Sequence, residues 1–205
     1  TSFPWLRGKT IDVSGINTLA LRVSYAGELG WELHIPMQNV AELYERLMVT
    51  GAEFGIENFG TYAMNSLRIE KAYKGWGSEL TTEITPIEAG LERFVDFSKP
   101  FIGREATLSR KLLGINTKLV YLEVDADDTD CLGNEPVLNG EQIIGVTTSG
   151  SYGHSVRKSL AFAYVHPQYA DSGTNFGIRI LGQERSATVL KEAAYDPQNL
   201  RLKDV

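Results

Sequence analysis

Residues 19–36 have the sequence LALRVSYAGELGWELHIP, in which two apolar alternations flank a turn that contains Gly27 and Gly30. Apolar residues occupy every second position over 19–25 and again over 31–35, which is typical of half-buried β-strands. Glycine tolerates the backbone angles of a tight connection, so the simplest arrangement is an antiparallel hairpin. The stretch therefore predicts two paired strands early in the chain.

Helical spacing, glycine punctuation and one capping motif predict four helices in the first half. The capping motif joins Thr85 to Glu88, with Pro86 at the first helical position. Gly51 is expected to be the C′ residue of the first helix. The predicted helices lie at about 40–51, at 61–73, from Thr85 onward and between Gly103 and Gly114.

The second half of the chain changes to short apolar runs separated by turns about every 8–12 residues, as in small barrels and sandwiches. Asn139-Gly140 lies between two such runs and is a strong hairpin signal. Residues 149–153, SGSYG, are interpreted as a further turn. The sequence thus predicts an α+β protein, with a mixed α/β region over 1–110 and a small all-β C-terminal barrel over 117–205.

Composition excludes several classes of protein. The 205 residues carry a formal net charge of −6, so a phosphate backbone is a poor ligand and no nucleic-acid partner is expected. No apolar run approaches the roughly 18–20 residues of a membrane-spanning helix, so no membrane partner is expected. Cys131 is the one cysteine, which excludes an intrachain disulfide and a cysteine-based zinc site.

Familiar catalytic and cofactor motifs are missing from the sequence. No dinucleotide fingerprint, phosphate-binding loop, metalloprotease motif or nucleophile elbow occurs. Cys131 lies in an acidic loop, where carboxylates disfavour a thiolate. We assign no metal site, because no two of the histidines stand at ligand spacing: they are His34, His154 and His166.

Glu32 is the most unusual polar residue of the predicted hairpin. Strand alternation puts it on the face opposite Trp31, Leu33 and Ile35. There it either faces solvent or lines a cavity. A carboxylate in a cavity can accept two N–H bonds from a heterocycle such as an aminopyrimidinone ring.

Six runs of residues, taken together, carry a resemblance to one family. They are VSYAGELGWEL at 23–33, NSLRIEK at 65–71, TPIEAGL at 85–91, FIGRE at 101–105, VTTSGSY at 146–152 and KSLAFAYV at 158–165. They resemble the folate-binding aminomethyltransferases, which include the T-protein of the glycine cleavage system. The last two runs resemble one subgroup, the folate-binding half of the dimethylglycine and sarcosine dehydrogenases and of dimethylglycine oxidase.

This resemblance implies a tetrahydrofolate site in the mouth between domains, where a glutamate holds the pteridine ring. Glu32 stands at the glutamate position, and Tyr25 matches an aromatic position beside the folate. Met64 stands where T-proteins have an arginine, which favours the dehydrogenase subgroup. Arg68 matches the family, and we interpret it as structural.

The resemblance also implies where the enzyme chemistry lies. The family's catalytic aspartate and the flavin domain of the dehydrogenases are expected upstream of Thr1, and no aspartate of this chain matches the catalytic motif. We therefore assign no catalytic residue here, and we expect FAD only in that upstream domain of the same polypeptide. The parent enzyme would oxidise dimethylglycine or sarcosine and transfer the carbon to tetrahydrofolate as 5,10-methylene-tetrahydrofolate.

Other functions stay open from the sequence: a non-catalytic folate-binding or interaction module, a T-protein-like aminomethyltransferase, or a folate-dependent demethylase with another methyl donor. The sequence upstream of Thr1 would discriminate between them. We expect a soluble protein, cytoplasmic in a bacterium or in the mitochondrial matrix of a eukaryote.

We expect the 205-residue chain alone not to accelerate formation of methylene-tetrahydrofolate. The reason is that it contains no aspartate that matches the catalytic motif. The measurement is the rate of product formation from formaldehyde and tetrahydrofolate, with and without the purified chain. A clear rate increase with the chain present would contradict the prediction.

Overall fold

A computed structural model describes residues 3–203. In chain order the strands and α-helices are β1 Gly8–Val13, β2 Ile16–Leu21, β3 Glu32–His34, α1 Val40–Gly51, α2 Thr61–Glu70, α3 Arg104–Leu113, β4 Lys118–Val124, β5 Pro136–Asn139, β6 Gln142–Gly153, β7 Lys158–Val165, β8 Asn175–Ile180, β9 Gln183–Val189 and α4 Leu200–Lys203.

The described residues form two compact units. The first comprises those of Thr1–Arg68 and Gln198–Val205, and the second comprises Ile69–Pro197. These units reflect packing, and the domain boundary expected near 111–117 stays a prediction. The mixed first half and the all-β second half nevertheless give the predicted α+β class.

The predicted hairpin forms in the first unit as the antiparallel pair β2–β3, within a three-stranded sheet of order β1-β2-β3. Its strands are shorter than the alternation indicated, because β2 ends at Leu21 rather than at Tyr25. The Val23 N–H donates to the Leu21 carbonyl at 2.9 Å, which turns the backbone away from the ladder. Residues 22–31 therefore form a long connection and not a tight turn.

Helix α1 begins at Val40 as predicted, but Gly51 is its last helical residue and not its C′ residue. A short 3-10 helix, Ala52–Phe54, follows, and Gly55 takes the left-handed conformation at φ 70°. Ile56 packs over Gly51, where a Cβ would lie 2.7 Å from the Ile56 side chain, so the glycine provides space for this local contact. The left-handed residue expected at Gly51 is instead Gly55.

Helix α2 ends at Glu70, before the predicted end at Tyr73. Ala72 has a φ of 53°, a left-handed conformation that cannot continue a helix. The predicted helix α3 does form between Gly103 and Gly114, which both have φ near 89°.

The capping box at Thr85 forms, but the helix expected after it does not. The Thr85 N–H donates to Glu88 Oε2 at 2.9 Å, and the Glu88 N–H donates to Thr85 Oγ1 at 3.4 Å. Gly90 then adopts a φ of 66° and ends the helical geometry after one turn. The motif correctly marked a helical start, and the glycine that followed it limited the length.

The second unit is built on a closed barrel of six strands in the order β4-β7-β6-β5-β8-β9. Every neighbouring pair is antiparallel, and the pairing of β9 with β4 closes the barrel, so its six strands leave no free edge for a further strand. The predicted Asn139-Gly140 turn joins β5 to β6, with Asn139 opposite Gln142. Apolar side chains such as Leu122, Val137 and Ile178 fill the interior.

The turn predicted at residues 149–153 is wrong. These residues form the end of β6 and pair with β7. Gly150 and Gly153 do not reverse the chain here but allow neighbouring residues to approach the strand closely. A Cβ at Gly150 would lie 2.5 Å from the carbonyl oxygen of Cys131, and one at Gly153 would lie 2.9 Å from Cγ of Glu70. Only glycine fits such approaches, which no local pattern reveals.

Glu79 holds the loop 75–80 against the barrel. Its carboxylate is fully buried and accepts hydrogen bonds from the Gly75 N–H and from the hydroxyls of Thr148 and Ser149, each at 2.6 Å. Ser78 Oγ donates a further bond at 3.0 Å. A buried carboxylate without donors would be strongly unfavourable, so these bonds account for its place in the core.

We predict that Glu79→Gln destabilises the chain by about 1–3 kcal/mol, because an amide group replaces one acceptor oxygen and leaves a buried donor unpaired. Chemical denaturation monitored by far-UV circular dichroism measures the loss. Glu141→Gln, at the exposed β5–β6 turn, is the matched control and should leave the unfolding midpoint unchanged. Equal midpoints for the Glu79 variant and the wild type would contradict the prediction.

Candidate functional site

The sheet of the first unit has one buried face and one open face. Ile16, Thr18 and Ala20 of β2 lie on the buried face. Glu32 stands opposite Leu21 and His34 stands opposite Leu19, so both of these β3 side chains lie on the open face. Leu33 is in register with Ala20, although Leu33 itself is 36% exposed. The alternation correctly put Glu32 on the face opposite Leu33, but it inverted the faces of β2, where Ala20 is buried and Leu19 is 44% exposed.

Glu32 lies on the open face with 54% of its side chain exposed, so it does not line an enclosed cavity formed by residues 3–203. Across that described range, its carboxylate accepts no hydrogen bond. The imidazole of His34 lies close to it, with 3.5 Å between His34 Nε2 and Glu32 Oε2. The anchor predicted from the sequence is thus an accessible carboxylate on a strand.

Tyr25 and Trp31 lie in the connection 22–31, which leads into β3. Tyr25 is 41% exposed. Trp31 was expected in an apolar core, but it is 47% exposed, and its ring packs on the Arg22 guanidinium, with 5.0 Å between Cζ and the ring centroid. A cation–π contact of this kind stabilises an indole that is only half covered.

Arg22 anchors this connection, a role that the sequence analysis missed. The side chain is buried, and its guanidinium donates to the carbonyls of Phe3 at 2.8 Å and Leu202 at 3.4 Å. The Phe3 ring meets the Trp31 ring edge-on at 6.4 Å. An arginine within an apolar strand pattern was the available signal, because such a residue must pair if it is buried.

The two further positions discussed from the resemblance lie on α2. Arg68 is buried and donates to Asn65 Oδ1 at 2.8 Å from Nε and 2.6 Å from Nη2. These contacts suit a structural arginine. Met64, which replaces the arginine of T-proteins, is half-buried.

The barrel unit contains a separate cavity of about 250 Å³ beside Lys74, Tyr121 and Phe162. Burial lowers the pKa of Lys74, and the charge of Arg93 lowers it further, while the carboxylate of Glu79 opposes the shift. Neither Glu32 nor Tyr25 lines this cavity, so it is a different place from the predicted site.

Cys131 and the histidines offer no nucleophile or metal centre within residues 3–203. Cys131 is fully buried, and burial raises its pKa to about 12, with smaller contributions from Glu135 and Asp130. The sequence analysis explained the low reactivity of this thiol by its acidic neighbours, whereas burial is the main cause of its raised pKa. The same range contains no group of three His, Cys, Asp or Glu residues that could hold a metal ion.

Comparison with known proteins identifies the family. Two family models match the chain: the GCVT N-terminal domain over residues 1–99 and the glycine cleavage T-protein C-terminal barrel domain over residues 117–196. The chain belongs to the glycine cleavage T-protein family. The recognition made from the six sequence runs is therefore confirmed.

The relatives include dehydrogenases of N-methylated glycines. The chain is 47% identical over 193 residues to dimethylglycine dehydrogenase of Mus musculus, covering 93% of this chain and 22% of that protein. It is 31% identical to sarcosine dehydrogenase of Homo sapiens, covering 100% of this chain and 23% of that protein. The chain thus spans about a fifth of the length of these relatives.

A solved structure of the family has the same fold. The glycine cleavage system aminomethyltransferase T of Bartonella henselae superimposes with a TM-score of 0.85 at 25% identity. The match covers 95% of this chain and 54% of that one. No helix within residues 3–203 is long and apolar enough to cross a membrane.

We predict that thiol reagents fail to modify Cys131 in the folded chain at pH 8. With a pKa of about 12 instead of 9.0, the thiolate fraction falls from about a tenth to about one ten-thousandth. The measurement is colour release from a disulfide reagent, first on native and then on denatured protein. Denaturation should release one equivalent, and rapid labelling of the native chain would contradict the buried assignment.

Proposed function

We propose that this chain binds a reduced folate through Glu32, within a longer polypeptide that oxidises dimethylglycine or sarcosine and transfers the carbon to tetrahydrofolate. The observation that carries the proposal is the exposed Glu32 carboxylate on an open sheet face. The names of the relatives support the two substrates. The identity with dimethylglycine dehydrogenase, higher than with sarcosine dehydrogenase, favours dimethylglycine.

Glu32 differs from the buried glutamates in what it already binds. Glu70, Glu79 and Glu88 are almost fully buried, and their carboxylates accept hydrogen bonds from backbone N–H groups and, for Glu79 and Glu88, from side chains. Their acceptor capacity is used by the fold. Glu32 keeps both oxygens available, which is what a ligand with paired donors requires.

The surroundings of Glu32 fit an aromatic heterocycle. A folate pteridine ring presents a ring N–H and an exocyclic amino group side by side, and a carboxylate can accept both. Leu19 and Leu21 lie beside β3 on the same face and offer apolar contact to the ring. Tyr25, in the connection before β3, is exposed enough to stack on it.

The part this chain takes in catalysis is binding and orientation. Bound tetrahydrofolate supplies the amine that attacks an electrophilic one-carbon unit. Glu32 fixes the ring in one orientation, so that the reacting nitrogen is held in place, and such positioning lowers the entropic cost of reaction. We assign no proton transfer to Glu32, because it acts here as an acceptor for the ring.

The remaining partners follow from the lengths of the relatives. The chain spans about a fifth of dimethylglycine dehydrogenase, so we infer that a flavin domain of the same polypeptide generates the one-carbon unit. We further infer a location in the mitochondrial matrix, by analogy with these mitochondrial relatives.

We predict that Glu32→Gln weakens tetrahydrofolate binding by about 10- to 150-fold, the loss expected from one charge-assisted hydrogen-bonded pair. Titration calorimetry on the full natural polypeptide measures it. Glu57→Gln, on an exposed residue of the same unit, is the control and should bind like the wild type. Equal affinities for wild type and Glu32→Gln would remove Glu32 as the anchor.

A further inference from the structure

His34 lies beside the Glu32 carboxylate, two positions along the same strand. The strand alternation puts both on the open face, and the distance from His34 Nε2 to Glu32 Oε2 is 3.5 Å. On β2, Leu19 stands opposite His34 and Leu21 stands opposite Glu32. The pair therefore forms a short polar row flanked by two leucines.

The contact between His34 and Glu32 contributes little to the stability of the fold. His34 and Glu32 are 55% and 54% exposed, and water screens a contact between groups so accessible. Neither residue has another hydrogen bond or ion pair between side chains in the part of the chain that the structure describes. A contact of this kind becomes stronger only when something covers it and excludes water.

We propose that His34 is a positioning residue for Glu32, which restricts the carboxylate to the orientation that receives the pteridine ring. The inference rests on the proposed function of Glu32. A carboxylate oxygen has two lone pairs, so Oε2 can face His34 and still accept one N–H of the ligand. The contact contributes when the ligand covers the pair and excludes water, because His34 then holds the carboxylate in that orientation.

A ring lying over Glu32 also covers the contact with His34. The low dielectric beneath the ligand then strengthens an attraction that is screened in the free protein. His34 is thus expected to matter for affinity and not for folding. This separation gives the proposal a clear test.

The test is a double-mutant cycle on tetrahydrofolate affinity, with titration calorimetry on the full natural polypeptide. We expect His34→Leu to weaken binding about three- to tenfold in the wild-type background, as the ordering cost of one side chain returns. In the Glu32→Gln background the same change should have no further effect. His34→Gln, whose amide N–H reaches a similar position, should restore most of the affinity.

Thermal unfolding of the same variants supplies the second readout. His34→Leu should leave the melting temperature unchanged. Asn17→Leu, which replaces a polar side chain on the same open face but on the neighbouring strand β2, is the matched control and should change neither readout. A lowered melting temperature for His34→Leu together with lost affinity would make the role structural and overturn the proposal.

The cycle separates this inference from the proposed function. If Glu32→Gln weakens binding but His34→Leu does not, or if His34→Leu acts equally in both backgrounds, the positioning role is wrong and the Glu32 anchor stands. If Glu32→Gln leaves the affinity unchanged, or the protein binds no tetrahydrofolate, both fail together.

Discussion

A buried carboxylate must be supplied with hydrogen-bond donors, and that requirement determines how the segments around the barrel are arranged. Glu70 accepts from the backbone N–H groups of Ser155 and Val156 at the end of the β6–β7 hairpin. Glu79 draws its loop onto β6, and Glu88 joins the Thr85 turn to Arg110 of α3. Each carboxylate therefore links a connecting segment to its neighbours, and the closed barrel supplies a rigid frame that cannot pair with further strands.

The same requirement distinguishes structural acids from one that can bind a ligand. A carboxylate whose lone pairs are taken by buried donors has nothing to offer a substrate, however unusual its position in the sequence. Glu32 has only a screened contact with His34 and lies on an accessible strand. Its side chain is therefore free to exchange water for the paired N–H groups of a heterocycle, at the cost of ordering one side chain. The neighbour that lowers this cost is local, since both residues belong to one short strand.

The sequence analysis was correct for features that depend only on residues close together in the chain. The Asn139-Gly140 turn and the bounds of α3, set by a glycine at each end, were both correct. Contacts that the local pattern does not show account for the failures. Gly150 lies in a strand where a Cβ would collide with Cys131, and Gly51 lies in a helix where a Cβ would collide with Ile56. A glycine in the sequence indicates either an unusual backbone conformation or a neighbour too close for a Cβ, and the sequence alone does not show which of the two applies.

The candidate site was likewise predictable only in its local features. Alternation gave the face of Glu32, and the family resemblance gave its chemical role as a hypothesis, but neither predicted how much of the hairpin would be exposed. Exposure depends on what packs against the sheet, and Arg22 shows the point: it looked like the polar side of a strand and is buried under carbonyl groups and an indole ring. Arg22 binds the carbonyls of Phe3 and Leu202 and carries the Trp31 ring, so it fixes the start and the end of the connection that leads into β3. Hydrophobic patterning assigns this buried cation to the surface, and the packing around Glu32 is therefore beyond what the pattern predicts.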